Sequence, residues 1–290
     1  MKVCAGIVLY NPDVERLKRN INAIKPQVDL LVFVDNASGN VDEVENSFLG
    51  DRYVWIKNEE NLGISGALNQ LIEYADNNGY EWILTLDQDS ICGENFVEKL
   101  LAVAVEDSKT AMVGPLIIDR GIADRGTFDA GLSSENPLPD SEDVKLIITS
   151  GALTNVEAVL DVGGFNNWLF IDEVDREICL RLLRKGYRLV RVNTIELNHE
   201  YGLKTVTRRV LWKKTVYRNY TPFRVYYQNR NLVYMMRKYG REYTPRLVYR
   251  WVRLFFAFFV KFINEPDRIP RLKAFSKGIK DGFAVDIKEV

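Results

Sequence analysis

Six short β-rich runs alternate with amphipathic helical patterns through the first 200 residues, and this alternation narrows the fold more than any other feature. The runs are 3–9, 30–35, 53–57, 82–87, 112–118 and 188–193. Helical spacing starts at Asn11-Pro12, a cap followed by proline at the first helical position, and continues through Leu17, Ile21 and Ile24. Further helical patterns span roughly 64–77, 94–106 and 173–185, the last ending at Gly186. Such alternation predicts an α/β domain: a mixed, mostly parallel sheet flanked by helices. Ligands of such sheets bind beyond the carboxyl ends of the strands. Residues 119–145 are rich in Gly, Asp, Pro and Ser and interrupt the pattern, which predicts a long loop over that edge.

The chain divides by charge where the alternation stops. Residues 1–200 carry 18 Lys+Arg against 34 Asp+Glu, and the remainder 21 against 6, so −16 faces +15 within a net charge of −1. A catalytic body over 1–205 and a basic, aromatic-rich helical region over 206–290 are expected. A basic region of this size implies a polyanionic partner. Nucleic acid fits poorly, because acidic residues dominate the body and no recognition motif is evident. Within 246–263, Arg246, Arg250, Arg253 and Lys261 line one helical stripe, and phenylalanines cover much of the rest. Only Leu254 to Val260 is free of charge, too short to span a bilayer, so an in-plane amphipathic helix is expected. The other use of those aromatics is packing on the catalytic domain or on a second copy, as in a homodimer. Cys4, Cys92 and Cys179 show neither metal-ligand nor disulfide spacing, which suits a reducing compartment. The apolar run of the N-terminus is read as a first strand, without a cleavage signal.

Chemistry-bearing residues gather where apolar runs end. In LDQDS at 86–90, Asp87 and Asp89 alternate along the strand and share a face, with Gln88 between them. Two hard carboxylates there suit Mg²⁺ or Mn²⁺ shared with substrate phosphates, or else cap a solvated turn. VDNAS at 34–38 places Asp35 and Asn36 to receive a nucleobase edge or ribose, or to close an Asx turn. In NLGISGALNQ at 61–70, Asn61 and Gly66 mark a loop entering a helix that carries Asn69. That loop lets backbone approach an anion, or is a plain capped turn. FIDEVDREICLR at 170–181 crowds Asp172, Glu173, Asp175 and Glu177 into a helix start, beyond what the helix dipole needs. A crowded carboxylate of this kind is a candidate general base. His199 is the single histidine of the chain and a candidate third metal ligand beside Asp87 and Asp89.

The ordered set resembles family 2 glycosyltransferases with the GT-A (Rossmann-like) fold, over roughly residues 1–235. LDQDS, FIDEVDRE and YYQNRN at 226–231 look like the rhamnosyltransferase branch, whose donor is dTDP-L-rhamnose. The resemblance implies that Asp35, with Tyr10, Asn11 and Asn36, holds base and ribose, and that Asn61, Gly66 and Asn69 line the nucleotide pocket. It further implies that Asp89 binds the metal, that Asp87, with Gln88 beside it, contacts ribose or metal, and that His199 completes the metal site. Asp175 falls where the family places its base. The family often reads Glu-Asp there, whereas this chain has Val174-Asp175, which keeps Asp172 as a rival. Arg230 is placed to hold a diphosphate.

The implied reaction is an inverting, Mn²⁺- or Mg²⁺-dependent transfer of a sugar onto a glycan or polyprenyl-diphosphate-linked acceptor. It would serve cell-surface polysaccharide synthesis at the cytoplasmic side of an anionic membrane surface. Two other readings compete. A nucleotidyltransferase also pairs aspartates at a strand end, but it usually needs a basic glycine-rich loop, and residues 6–15 contain no Lys or Arg. A non-catalytic sugar-nucleotide-binding partner of a glycan assembly complex is the third.

Overall fold

The computed structural model describes residues 1–119, 138–199, 205–210, 213–218, 221–240, 249, 252 and 268–288. Two compact units emerge: Met1–Asn167 with Asp175–Tyr201, and Trp168–Val174 with Gly202–Val290.

The first unit is built on β1 (Val3–Leu9), β2 (Leu30–Asp35), β3 (Tyr53–Lys57) and β4 (Trp82–Asp87), each with the bounds expected from its apolar run. Among the described residues eight strands form one sheet in the order β3-β2-β1-β4-β7-β5-β8-β6. β1 pairs in parallel with β2 on one side and β4 on the other. β7 (Ala152–Asn155) runs antiparallel to both β4 and β5 (Thr110–Asp119), and β6 (Ser141–Asp143) runs antiparallel to β8 (Arg188–His199). Neither β6 nor β7 was foreseen, since strands of three and four residues are too short for alternation to register. β6 also shortens the loop expected over 119–145; residues 120–137 of that loop lie outside the described residues.

Strand β8 is longer than its apolar run because it crosses an irregularity. Pro115 pairs with Val192 but Leu116 pairs with Glu196, so residues 193–195 bulge out. Proline has no N–H to give to the ladder and is confined within sheets to such places.

Helices cover the sheet with apolar stripes. On α1 (Val14–Ile24) the buried positions are Leu17, Asn20, Ile21 and Ile24. The Asp13 carboxylate caps this helix, accepting from Arg16 N at 2.9 Å. Asn11-Pro12, expected to form the cap, sits earlier: Asn11 is left-handed (φ 46°) and its side chain accepts from Gly39 N. α3 (Gly63–Asn77), α4 (Phe96–Ala104) and α6 (Val174–Lys185) fall on the expected patterns. α2 (Val41–Ser47) buries only Val44 and α5 (Val156–Asp161) has six residues, so neither left a periodic signal. The main core joins Ile7, Leu9, Phe33, Leu84, Phe96 and Leu153. All three cysteines are free and buried. Burial pushes the Cys4 and Cys179 thiols up to about 12, which removes them from thiolate chemistry.

The second unit contains an unforeseen hairpin, β9 (Thr205–Val210) with β10 (Lys213–Arg218), a helix α7 over 222–240, and α8 (Arg268–Ala284). The helix expected over 246–263 lies outside the described residues, apart from the helical, exposed Tyr249 and Val252. α8 meets α7 through glycines one turn apart. A Cβ on Gly278 would strike Tyr226 O, and one on Gly282 would lie 2.6 Å from Arg230 O. Tyr226 donates to Asp281 at 2.8 Å, and Arg237 donates to Gly282 O at 2.9 Å, closing the same seam. Backbone cannot yield as a flexible side-chain tip can. Gly282→Ala is therefore expected to destabilise the protein by about 1–3 kcal/mol, read as a lower urea midpoint, whereas Gly79→Ala, where a Cβ meets nothing but φ is +69°, tests strain alone.

Candidate active site

Strand order reverses at β1, so the carboxyl ends of β1, β2 and β4 frame the crevice where open α/β sheets bind ligands. Leu9 is in register with Asp35, and Val8 with Asp87, which places the two aspartates on either side of the β1 exit. Tyr10 leaves β1 between them and is 51% exposed. Gln88 fastens this exit: its Oε1 accepts from Tyr10 N at 2.9 Å and its Nε2 donates to Tyr10 O at 3.4 Å.

On the β2 side, Asp35 is buried and accepts from Ser38 N at 2.9 Å. Asn11 N donates to Ser38 Oγ at 2.8 Å, which ties the β1 exit to the same turn. Asn36 donates to Gly63 O at 3.0 Å, and Asn58 bridges the Asn36 side chain to Gln70. The start of α3 is thereby fixed against the end of β2. Asn61 Oδ1 accepts from Gly63 N at 2.9 Å, the capped-turn geometry. A Cβ on Gly66 would lie 2.8 Å from the Leu62 Cβ, so packing of the entering loop by itself demands glycine there. Asn69 reaches across α3 to a different segment. It accepts from Phe165 N at 2.7 Å and donates to Phe165 O and Asn167 Oδ1, both at 2.8 Å. Gly164, at φ 74°, leaves the space that Asn69 Oδ1 fills.

On the β4 side, Thr149 and Ser150, which carry no expected role, organise the Asp175 carboxylate and the Asp87 main chain. Ser150 Oγ accepts from Asp87 N at 3.1 Å and lies 2.8 Å from Ser90 Oγ. Its neighbour Thr149 donates to Asp175 Oδ1 through both its backbone N (3.0 Å) and its hydroxyl (2.7 Å). Thr85 Oγ1 donates to Thr149 O at 2.6 Å, and Gly151 N donates to Thr85 O at 2.7 Å. One strip thus braces Asp175, at the first turn of α6, against the strand that ends in Asp87. From the opposite side, the fully buried Asn20 donates to Asp87 O at 2.8 Å. Its signal was a polar residue on the apolar stripe of α1. Arg16, one turn earlier, donates to Asp89 O at 3.3 Å and lies 3.7 Å from Asp89 Oδ2.

The remaining expected residues are placed differently. His199 ends β8, with its backbone in register with Asp119, and its side chain lies outside the described residues. Asp172 and Arg230 belong to the second unit. Phe170, Asp172 and Glu173 all adopt positive φ (63–64°), unusual for residues with a Cβ. α7 holds this segment within the unit: Asn231 donates to the carbonyls of Leu169, Ile171 and Asp172, and Arg230 to those of Trp168 and Leu169. The buried Arg230 guanidinium stacks 3.8 Å over the Trp168 ring and 4.5 Å over Tyr227. Arg224 pairs with both oxygens of Asp172 at 3.3 Å.

Aspartates closing β2 and β4 around the switch point, with an antiparallel β7 beside β4, define the GT-A class of fold. The GalNAc-T7 crystal structure with UDP, GalNAc and Mn²⁺ aligns at a TM-score of 0.60 and 14% identity, covering 100% of this chain and 57% of that one. The mannosyltransferase PcManGT from Pyrobaculum calidifontis, in complex with GDP-Man and Mn²⁺, aligns at 0.56 and 12% identity, over 97% of this chain and 73% of that one. The Glycosyl transferase family 2 model matches residues 4–158, and that of Glycosyl transferase family group 2 matches 82–264. The dTDP-rhamnosyl transferase RfbF of Shigella flexneri is 31% identical over 256 residues, covering 81% of this chain and 80% of that protein. The chain belongs to glycosyl transferase family 2 and is a glycosyltransferase similar to the rhamnosyltransferase branch.

Asn69 generates a prediction independent of activity. Removing its amide leaves the Phe165 backbone groups without their partners, a cost of about 1–3 kcal/mol. Asn69→Ala is expected to lower the urea midpoint accordingly, and Asn69→Gln to recover little, because the longer side chain does not fit the space beside Gly164.

Proposed function

We propose that the protein transfers L-rhamnose from dTDP-rhamnose to an acceptor hydroxyl with inversion at the anomeric carbon. The observation that carries the mechanism is the Thr149–Ser150 strip, which braces Asp175 and the end of β4 against each other. The nature of the donor is supported by the identity shared with RfbF.

Asp35, Asn36 and the exposed Tyr10 ring form the base and ribose side of the crevice, and Asn61 and Gly66 set the loop that lines it. The diphosphate role expected of Arg230 competes with its stacking on Trp168 and its two carbonyl partners. Asp87 and Asp89 would hold Mn²⁺ or Mg²⁺. The donor set fits, because two hard carboxylates suffice for cations that complete their shell with water and substrate phosphates, and Asp89 already draws a guanidinium. Among the described residues no three acidic, histidine or cysteine side chains form a metal cluster, and His199 is the third ligand in this reading. When bound, the cation supplies charge to the leaving diphosphate.

Asp175 is the base. Thr149 fixes its Oδ1 through two donors, which orients the carboxylate toward one direction of approach. The carboxylate takes the proton of the acceptor hydroxyl as that oxygen bonds to the anomeric carbon, while the bond from that carbon to the diphosphate oxygen breaks on the far face. Asp172, paired with Arg224, is the weaker candidate, since its carboxylate already serves an ion pair. The basic C-terminal region supports an acceptor met at an anionic membrane surface, such as a polyprenyl-diphosphate-linked glycan in polysaccharide synthesis. Among the described residues no helix is long and apolar enough to cross a membrane.

Two measurements test this reading. In a transfer assay the wild type is expected to use dTDP-rhamnose over UDP- and GDP-sugars, and Asp175→Asn to lose about 10²–10⁴-fold in turnover. Near-normal turnover of that variant, or preference for a UDP- or GDP-sugar, refutes the respective half. Vesicle sedimentation is expected to retain the protein on anionic but not neutral bilayers, with release by salt; equal retention on both removes the membrane surface from the scheme.

A further inference from the structure

The face that α1 turns toward the Asp87–Ser90 turn carries two polar residues one helical turn apart. Asn20, fully buried, is fixed on Asp87 O and so sets the register of the helix against the turn. Arg16 is consequently held over Asp89, reaching both its carbonyl (3.3 Å) and its carboxylate (3.7 Å). The two side chains are 25% and 20% exposed, and a partly solvated pair of this length adds little to stability. What the arrangement does add is a fixed positive charge at the carboxylate assigned to a cation.

We propose that Arg16 is a resident counter-cation of Asp89. It weakens capture of a bare divalent cation and couples cation binding to arrival of the nucleoside diphosphate. This rests on the reading of Asp89 as a metal-binding carboxylate. A divalent cation on Asp89 would share that carboxylate with a guanidinium, and the repulsion between them would be doubled by the ion's charge. The diphosphate brings negative charge that attracts both cations at once, so the penalty felt by metal alone fades when both ligands are present.

The test is Mn²⁺ titration of the full chain, following free Mn²⁺ by electron paramagnetic resonance, with and without dTDP. Asp89→Asn should abolish the Mn²⁺ site; if Mn²⁺ binding survives that change, the site reading itself fails, and the proposal with it. Arg16→Gln removes the charge while keeping a polar side chain, and should tighten Mn²⁺ alone by about fivefold. Arg16→Lys keeps the charge and should stay within about twofold of wild type. Saturating dTDP should narrow the gap between Arg16→Gln and wild type to about twofold. With the Asp89 dependence intact, unchanged or weaker Mn²⁺ binding by Arg16→Gln overturns the counter-cation. A gap that persists undiminished with dTDP overturns the coupling.

Discussion

Everything at this site depends on how two adjacent side chains are spent. Thr149 gives both of its donors to one oxygen of Asp175, and Ser150 takes the N–H of Asp87. Gly151 can follow them only because its left-handed backbone (φ 82°) turns the chain directly into β7. The antiparallel strand is therefore more than sheet filling. It brings a hydroxyl-bearing corner to the carboxyl end of β4, so that a carboxylate from a helix and the main-chain N–H of the aspartate ending a strand are held by a single short peptide.

That corner explains which parts of the molecule could be read from residue order. β1, β2 and β4 announce themselves because parallel strands buried on both faces are apolar runs with sharp ends, and the ends of β2 and β4 carry Asp35 and Asp87. The four longer helices of the first unit follow from their stripes. β7 and the Thr149–Ser150 corner were hidden because their work is done by hydroxyls whose partners lie 26 and 63 residues away. Asn20 was partly visible, as an amide on an apolar stripe, but its partner is a main-chain carbonyl that no side-chain pattern reports. Asn61, Gly66 and Asn69 were found for one reason and are held for another. Their hydrogen bonds and close contacts shape the loop and the 164–167 segment, and any ligand would meet the surface that results.

The second unit shows the same economy. Three left-handed residues with side chains, Phe170, Asp172 and Glu173, each cost about 1–3 kcal/mol in backbone strain. The Asn231 amide, donating to three carbonyls, together with the Arg230 guanidinium, keeps that segment from relaxing. The YYQNRN segment resembles the rhamnosyltransferase branch, and within the second unit its Arg230 and Asn231 make these contacts. Arg230 is buried, and desolvation lowers its pKa from the ordinary arginine value while stacking on Trp168 and Tyr227 offsets the loss of water.

The grip of Gln88 on Tyr10 engages only main-chain atoms. The seam between the first and fourth strands is thus indifferent to which side chain stands at position 10, where the residue is exposed. Strand pairing and side-chain identity are uncoupled at this place. Descendants of such a sequence have a position where the exposed side chain can drift while the strand ends beneath it stay closed.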